Sequence, residues 1–302
     1  MDSSEITRLL TDTVGSLSKT STMKGLCRQH RHGDALPSGQ ALAEVIDLSR
    51  AILFPGYYGK STINAETVLY TIGVSTERLF YLLRHEIEAG LCFENRDGDD
   101  QARADIRVRA RDMAAELIRR LPAIRETLST DVEAAFLGDP AAESFGEVIS
   151  CYPVIKALTN YRIAHELYLI GVPLVPRILT EMAHSETGID IHPGAEIGRH
   201  FTIDHGTGVV IGATCIIGNN VKLYQGVTLG ARSFPLDENG NPIKRIPRHP
   251  ILEDDVIVYS NASILGRIRI GKGAVIGGNI WVTEDVPAGA QIQQNRNTPK
   301  QH

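Results

Sequence analysis

The last third of the chain repeats every six residues, and few folds accept that period. Beyond Gly188, aliphatic residues stand at Ile191, Ile197 and Ile203, then at Ile211, Ile217, Leu223 and Leu229. A second run gives Leu252, Val258, Ile264, Ile270, Ile276 and Val282. Glycine follows directly at Ile197-Gly198, Ile211-Gly212, Ile217-Gly218, Leu229-Gly230, Ile270-Gly271 and Ile276-Gly277. An amphipathic helix repeats at about 3.6 residues and a hairpin strand at about 2, so neither explains the pattern. A fixed short period is the signature of a β-helix. Six residues form one flat side of a triangular coil, with the aliphatic side chain inside and small residues at the bend.

The interruptions of the period carry the functional signal. From Ile203 to Ile211 the step is eight, so two residues are inserted, within Asp204-His205-Gly206-Thr207-Gly208. From Leu229 to Leu252 the step is 23. Its polar stretch, Ala231 to His249, reads as a loop leaving the coil. Solenoids gather insertions on one face, often the binding face.

Residues 1–186 read as helical instead. Apolar residues fall at helical spacing over Ala41–Leu48, Val68–Leu91, Ala104–Leu121 and Val148–Ile170. Breakers separate them at Pro55-Gly56, Asn95–Asp100, Gly138-Asp139-Pro140 and Gly171-Val172-Pro173. The predicted organisation is an all-α domain over 1–186, a coil over 187–287 and a short polar tail over 288–302. A net charge of −5 offers no surface for nucleic acid. No apolar run reaches membrane-spanning length, and Met1-Asp2-Ser3-Ser4-Glu5 lacks the features of a secretory signal. Cys27, Cys92, Cys151 and Cys215 have no CxxC spacing, which predicts free thiols in a reducing cytoplasm.

Four motifs in this order resemble serine O-acetyltransferase: Asp190-Ile191-His192-Pro193, Asp204-His205-Gly206-Thr207-Gly208, Gln225-Gly226-Val227-Thr228-Leu229-Gly230 and Arg248-His249-Pro250. Upstream, Asp131-Val132-Glu133-Ala134, Asp139-Pro140-Ala141 and Asn160-Tyr161-Arg162-Ile163-Ala164-His165 continue the resemblance, which covers about Asp131 to Pro287. It implies an α+β protein, an N-terminal all-α domain followed by a left-handed parallel β-helix, the handedness being an exception to the usual crossover rule. It also implies acetyl transfer from acetyl-CoA to the L-serine hydroxyl, toward cysteine. Trimers formed through the coils, sometimes paired into hexamers through the helices, and an active site between neighbouring coils are further implications.

Acyl transfer to a hydroxyl needs a base that titrates near neutrality, and His205 is the candidate. Asp190 lies 15 residues earlier, close to one triangular turn, and is the carboxylate expected to orient the imidazole. The resemblance assigns the dyad to the same two positions. Serine is a zwitterion, so Asp139 and Asp204 are candidates for its ammonium and Arg248 for its carboxylate. His249 is a candidate for contact with substrate or the developing oxyanion. Gly230, Ala231, Ser260 and Gly278 match the family's wall for CoA. No metal is expected. His200 and His205 form an HxxxxH pair that suits a γ-carbonic anhydrase-like zinc site, but this leaves the Asp204–Gly208 and Arg248–Pro250 elements unexplained. The repeat itself also suits acetyl transfer to another hydroxyl acceptor, such as homoserine or an amino sugar, and a scaffold that keeps the coil without catalysis.

The chain departs from the family in three places. Its loop is long, reading Arg232-Ser233-Phe234-Pro235-Leu236-Asp237-Glu238-Asn239-Gly240-Asn241-Pro242. Its helical region is also longer. Its last residues, ending Gln301-His302, differ from the family's isoleucine-terminated tail. The usual tail-mediated complex with O-acetylserine sulfhydrylase is therefore not expected.

Overall fold

The computed structural model describes residues 1–23, 36–59, 62–94, 100–233 and 235–294. Cys27, residues 95–99 of the expected break and the final Gln301-His302 lie outside the described residues. The chain forms two compact units, Met1–Ala35 and Leu36–His302. The first holds helix α1 (Ser3–Leu17), started by a capping box in which Asp2 accepts from the Glu5 amide and Glu5 accepts from that of Asp2.

The second unit holds both the remaining helices and the coil. Helices α2 (Gly39–Leu53) and α3 (Val68–Glu94) contain the first two predicted stripes. Helix α4 (Asp100–Gly138) runs well beyond the predicted Leu121. Pro122 removes one ladder donor, but Ile124, Leu128, Val132 and Ala135 keep the buried stripe in phase. The stripe over 148–170 is two helices, α5 (Phe145–Cys151) and α6 (Pro153–Ile170). Pro153 cannot donate a backbone hydrogen bond, so it ends one helix and starts the next at its first position. A further helix, α7 (Val175–Thr187), adds to the expected set; Gly188 closes it at φ 71°.

The coil is a left-handed parallel β-helix with three faces. Face 1 stacks β1 (Asp190–Ile191), β4 (Val210–Ile211), β7 (Thr228–Gly230), β10 (Ser263–Leu265) and β13 (Trp281–Val282). Face 2 stacks β2 (Glu196–Ile197), β5 (Ile216–Ile217), β8 (Ile251–Leu252) and β11 (Arg269–Ile270). Face 3 stacks β3 (Thr202–Asp204), β6 (Lys222–Tyr224), β9 (Ile257–Val258), β12 (Val275–Ile276) and β14 (Gln291–Ile292). The predicted aliphatics lie in register, Ile191 on Ile211 on Leu229 on Ile264 on Val282 along face 1. A second buried column stands two residues before most of them, through Ile189, Ala195, Phe201, Val209, Cys215, Val221, Val227, Val256, Ala262 and Ala274. Strand alternation turns both columns inward.

Within Leu36–His302, buried polar contacts join the helices to the coil. Arg162 of α6 donates to Asp131 of α4 and to the carbonyls of Ile197 (2.5 Å) and Gly198 (2.7 Å) in the coil. Asp131 also accepts the amide of Phe201 at 3.0 Å, and the Tyr161 hydroxyl donates to Ala195 O at 2.6 Å. Beyond Pro287, β14 pairs with β12, setting Ile292 beside Ile276. The aliphatic-glycine signal is lost there, but backbone pairing does not depend on it.

Candidate active site

The edge where face 3 turns into face 1 is built on left-handed backbone. Gly188, Gly208, Gly226, Asn261 and Asn279 all have positive φ, from 56° to 80°. Successive turns are joined by hydrogen bonds donated by the backbone N–H of Gly208 to Gly188 O, Gly226 to Thr207 O, Asn261 to Gln225 O and Asn279 to Ser260 O, all 2.9–3.0 Å. Glycine and asparagine are the residues that tolerate this conformation. The two-residue insertion is a detour before this ladder. His205 (φ 58°) and Gly206 (φ 92°) swing the chain outward, and a Cβ on Gly206 would lie 2.5 Å from Ile189 Cδ1. The His205 side chain is consequently 75% exposed.

Two carboxylates share that edge with it. His205 Nε2 lies 3.8 Å from Asp204 Oδ1. Asp139 comes from the helical segment, where Pro140 ends α4 and Asp139 Oδ1 accepts the Ala141 amide at 2.8 Å. Asp139, Tyr152, Pro153, Val154, Ile203, Asp204 and His205 line one cavity of about 250 Å³. The Tyr152 hydroxyl donates to Asp139 Oδ2 at 2.6 Å. That bond, chiefly, holds the Asp139 carboxyl below its ordinary value, and reciprocally pushes the Tyr152 hydroxyl up to about 12. Lys222 stands behind the pair, donating to Gly138 O at 2.5 Å and lying 3.4 Å from Asp204 Oδ2. Its ammonium sits 4.6 Å from the Tyr224 ring centroid.

Asp190 begins β1, beside the Gly188–Ile189 segment against which the insertion packs. It shares the edge with His205, but among the described residues no hydrogen bond or ion pair joins the two. Ser260 and Gly278 lie lower on the same edge.

The remaining predicted residues lie on another edge, where face 1 turns into face 2. There Gly230 ends β7, Ala231 starts the loop, and Arg248-His249 leads back into β8. Thr214 organises this edge: its Oγ1 accepts the amides of Arg248 (3.0 Å) and His249 (3.2 Å), and its own amide donates to His249 Nδ1 at 3.1 Å. The His249 ring occupies the space a side chain at Gly212 would take, 2.0 Å from the position of its Cβ. Burial and neighbouring Arg248 and Arg267 lower His249 to about 4. Burial likewise lowers His192, on the same edge, to about 4, with Arg177 and His249 adding to the effect. Both rings are neutral at pH 7. His200 lies on the third edge, bonded to Asn220 at 2.9 Å and so apart from His205.

Sequence reading missed Tyr152, Lys222 and Thr214. A lysine at an outward strand position and a tyrosine before proline carry no periodic signal.

The fold defines a class, the hexapeptide-repeat left-handed β-helix proteins. No protein-family profile matches the chain. It is 49% identical over 261 residues to the serine acetyltransferase, plasmid, of Synechococcus elongatus, covering 86% of this chain and 82% of that protein. It is 48% identical over 160 residues to serine acetyltransferase of Bacillus licheniformis, covering 53% of this chain and 70% of that one. Among solved structures, Entamoeba histolytica serine acetyltransferase 1 in complex with L-cysteine is similar at a TM-score of 0.73 and 36% identity, covering 83% and 86% of the two chains. The soybean serine acetyltransferase complexed with serine gives 0.54 and 26%, covering 85% and 96%. This chain belongs to the serine acetyltransferase family.

Proposed function

We infer that the chain transfers acetyl from acetyl-CoA to the hydroxyl of L-serine, a step toward cysteine. One observation carries the reading of the site. A histidine displaced from the coil by a two-residue detour shares a cavity with two carboxylates of different elements, Asp139 and Asp204. His205 takes the proton from the serine hydroxyl as that oxygen attacks the thioester carbonyl, a role typically worth about 10²–10⁴-fold in rate. Asp190, from the same edge, orients the imidazole and stabilises its cationic form. Asp139 and Asp204 hold the serine ammonium. When bound, acetyl-CoA supplies the activated acetyl group.

Arg248 and His249 complete the site for the serine carboxylate and the developing oxyanion, but from the other edge of face 1. We propose that a neighbouring coil supplies them, in a homotrimer or a dimer of trimers, with CoA running between Ser260 and Gly278 of one coil and Gly230 and Ala231 of the next. The fit to CoA rests on small side chains. The coil requires some of them in any case, since a Cβ on Gly230 would lie 2.9 Å from Leu265 and one on Gly278 3.1 Å from Ser260 O. Because its Nδ1 accepts the Thr214 amide, neutral His249 carries its proton on Nε2 and can donate one hydrogen bond from there. Free thiols at Cys151 and Cys215 support a cytoplasmic setting.

Two experiments test this. Release of CoA thiol is followed with serine, homoserine and threonine; serine gives the highest kcat/KM, and absence of release with serine refutes the activity. His205→Ala and Arg248→Ala are then prepared separately, each inactive, and co-assembled. A shared site restores activity, since random mixing leaves about one interface in four intact on both sides. No recovery in mixed assemblies refutes the shared site.

A further inference from the structure

Lys222 is an ammonium group beside a site read as holding another ammonium. Its side chain is only 17% exposed. An ammonium has three donors, and the surroundings of this one are filled. It gives one bond to Gly138 O (2.5 Å), it contacts Asp204 Oδ2 (3.4 Å), and its remaining side lies over the Tyr224 ring (4.6 Å). Tyr224 is in turn stacked on Tyr259, with ring centroids 5.0 Å apart. Its charge is thus engaged by protein groups, Gly138 O, the Asp204 carboxylate and the Tyr224 ring, which points to a role through those neighbours.

The two groups it grips are the neighbours that matter. Gly138 is the last residue of α4 and immediately precedes Asp139, while Asp204 belongs to β3. Lys222 therefore ties the end of the helical segment to the coil at the point where each contributes a carboxylate. It engages Asp204 Oδ2, while Oδ1 lies toward His205 at 3.8 Å. Its charge offsets one of the two carboxylates, leaving the group of three at −1, which one ammonium neutralises. Resting on the serine-site reading above, we propose that Lys222 is a positioning residue that sets Asp139 and Asp204 to accept one α-ammonium, and so confers selectivity for amino-acid acceptors over hydroxy acids. Lys222 acts through those carboxylates and does not touch the reacting atoms.

The test compares L-serine with 3-hydroxypropionate, which has the same hydroxyl and carboxylate but no ammonium. Lys222→Met keeps the length and removes the charge; KM for serine rises about tenfold or more, the scale of a lost charged hydrogen-bond network. KM for acetyl-CoA stays within about twofold, as does kcat/KM for 3-hydroxypropionate, so the discrimination between acceptors shrinks. Lys222→Arg recovers part of it. Gly138→Ala approaches from the helix side without changing any charge, since its Cβ would lie 3.3 Å from Lys222 Nζ. It shifts KM for serine in the same direction by less. Unchanged serine KM in both Lys222→Met and Gly138→Ala overturns the proposal. Equal losses for serine and 3-hydroxypropionate also overturn it, because they describe a general structural role. An unmodified enzyme that fails to acetylate serine refutes the underlying function instead.

Discussion

Replacing Asp131 with alanine tests how the helices are held on the coil. Asp131 is fully buried and accepts from Arg162 Nε (3.2 Å), Arg162 Nη2 (3.1 Å) and the Phe201 amide (3.0 Å). Its removal leaves a guanidinium 8% exposed with no counter-charge and a buried amide without its acceptor. Breaking a buried pair from one side costs about 3–5 kcal/mol. The orphaned amide belongs to the same group, so its cost overlaps with this figure. We take about 4 kcal/mol. Unfolding entropy of about 2.1 cal/mol/K per residue over 302 residues turns that into a fall in Tm of about 6 °C. Thermal unfolding followed by circular dichroism reads it. Asp139 lies on the same segment, just past the end of α4, so KM for serine rises as well. Asp131→Leu combined with Arg162→Met removes both charges and recovers most of the stability. A loss below about 1 kcal/mol, or a double variant no better than the single, refutes the assignment of this pair as the clamp.

Three further outcomes follow from the site. His192 and His249 are held near 4, below the ordinary histidine value of about 6.5, so folding favours their neutral forms. The stability they contribute is full above that ordinary value and is lost as pH falls toward 4. Urea midpoints drop between pH 6.5 and 4, and His249→Gln flattens the drop; equal slopes contradict the assignment. Tyr152→Phe removes the main bond holding the Asp139 carboxyl low. Asp139 then protonates at higher pH, and the acid limb of kcat/KM for serine moves upward; an unmoved limb contradicts the role of Tyr152. Gly212→Ala drives a methyl into the His249 ring, destabilising by about 1–3 kcal/mol and lowering kcat/KM for serine. Full activity with unchanged Tm would mean that His249 is not needed where it stands.

The coil was legible because its signal is one-dimensional. Each aliphatic residue from Ile191 to Val282 falls on a strand whose neighbours are fixed by the period, so counting in sixes reproduces the register. The eight-residue step likewise exposed His205 before any coordinates, because a detour must begin where the count fails. Helix limits were less legible. A stripe tells which face is buried but not whether Pro122 is tolerated or Pro153 starts a new helix, and that depends on what packs against each. The second inward column is hidden in the sequence because Ala195, Cys215 and Ala274 are not bulky aliphatics.

The sequence by itself determined the triangular coil, its interruptions and the residue types able to perform acyl transfer, since six-fold periodicity and inserted residues are properties of the chain read along its length. Tertiary structure alone decided which of those residues meet. It put Asp139 and His205 in one cavity, set Lys222 behind the two carboxylates, and carried Arg248 and His249 to a different edge. The physical reason is that each edge gathers residues from turns separated by 18 to 35 positions and from a helix end docked by a buried ion pair. Proximity of that kind follows from packing, and no local pattern encodes it.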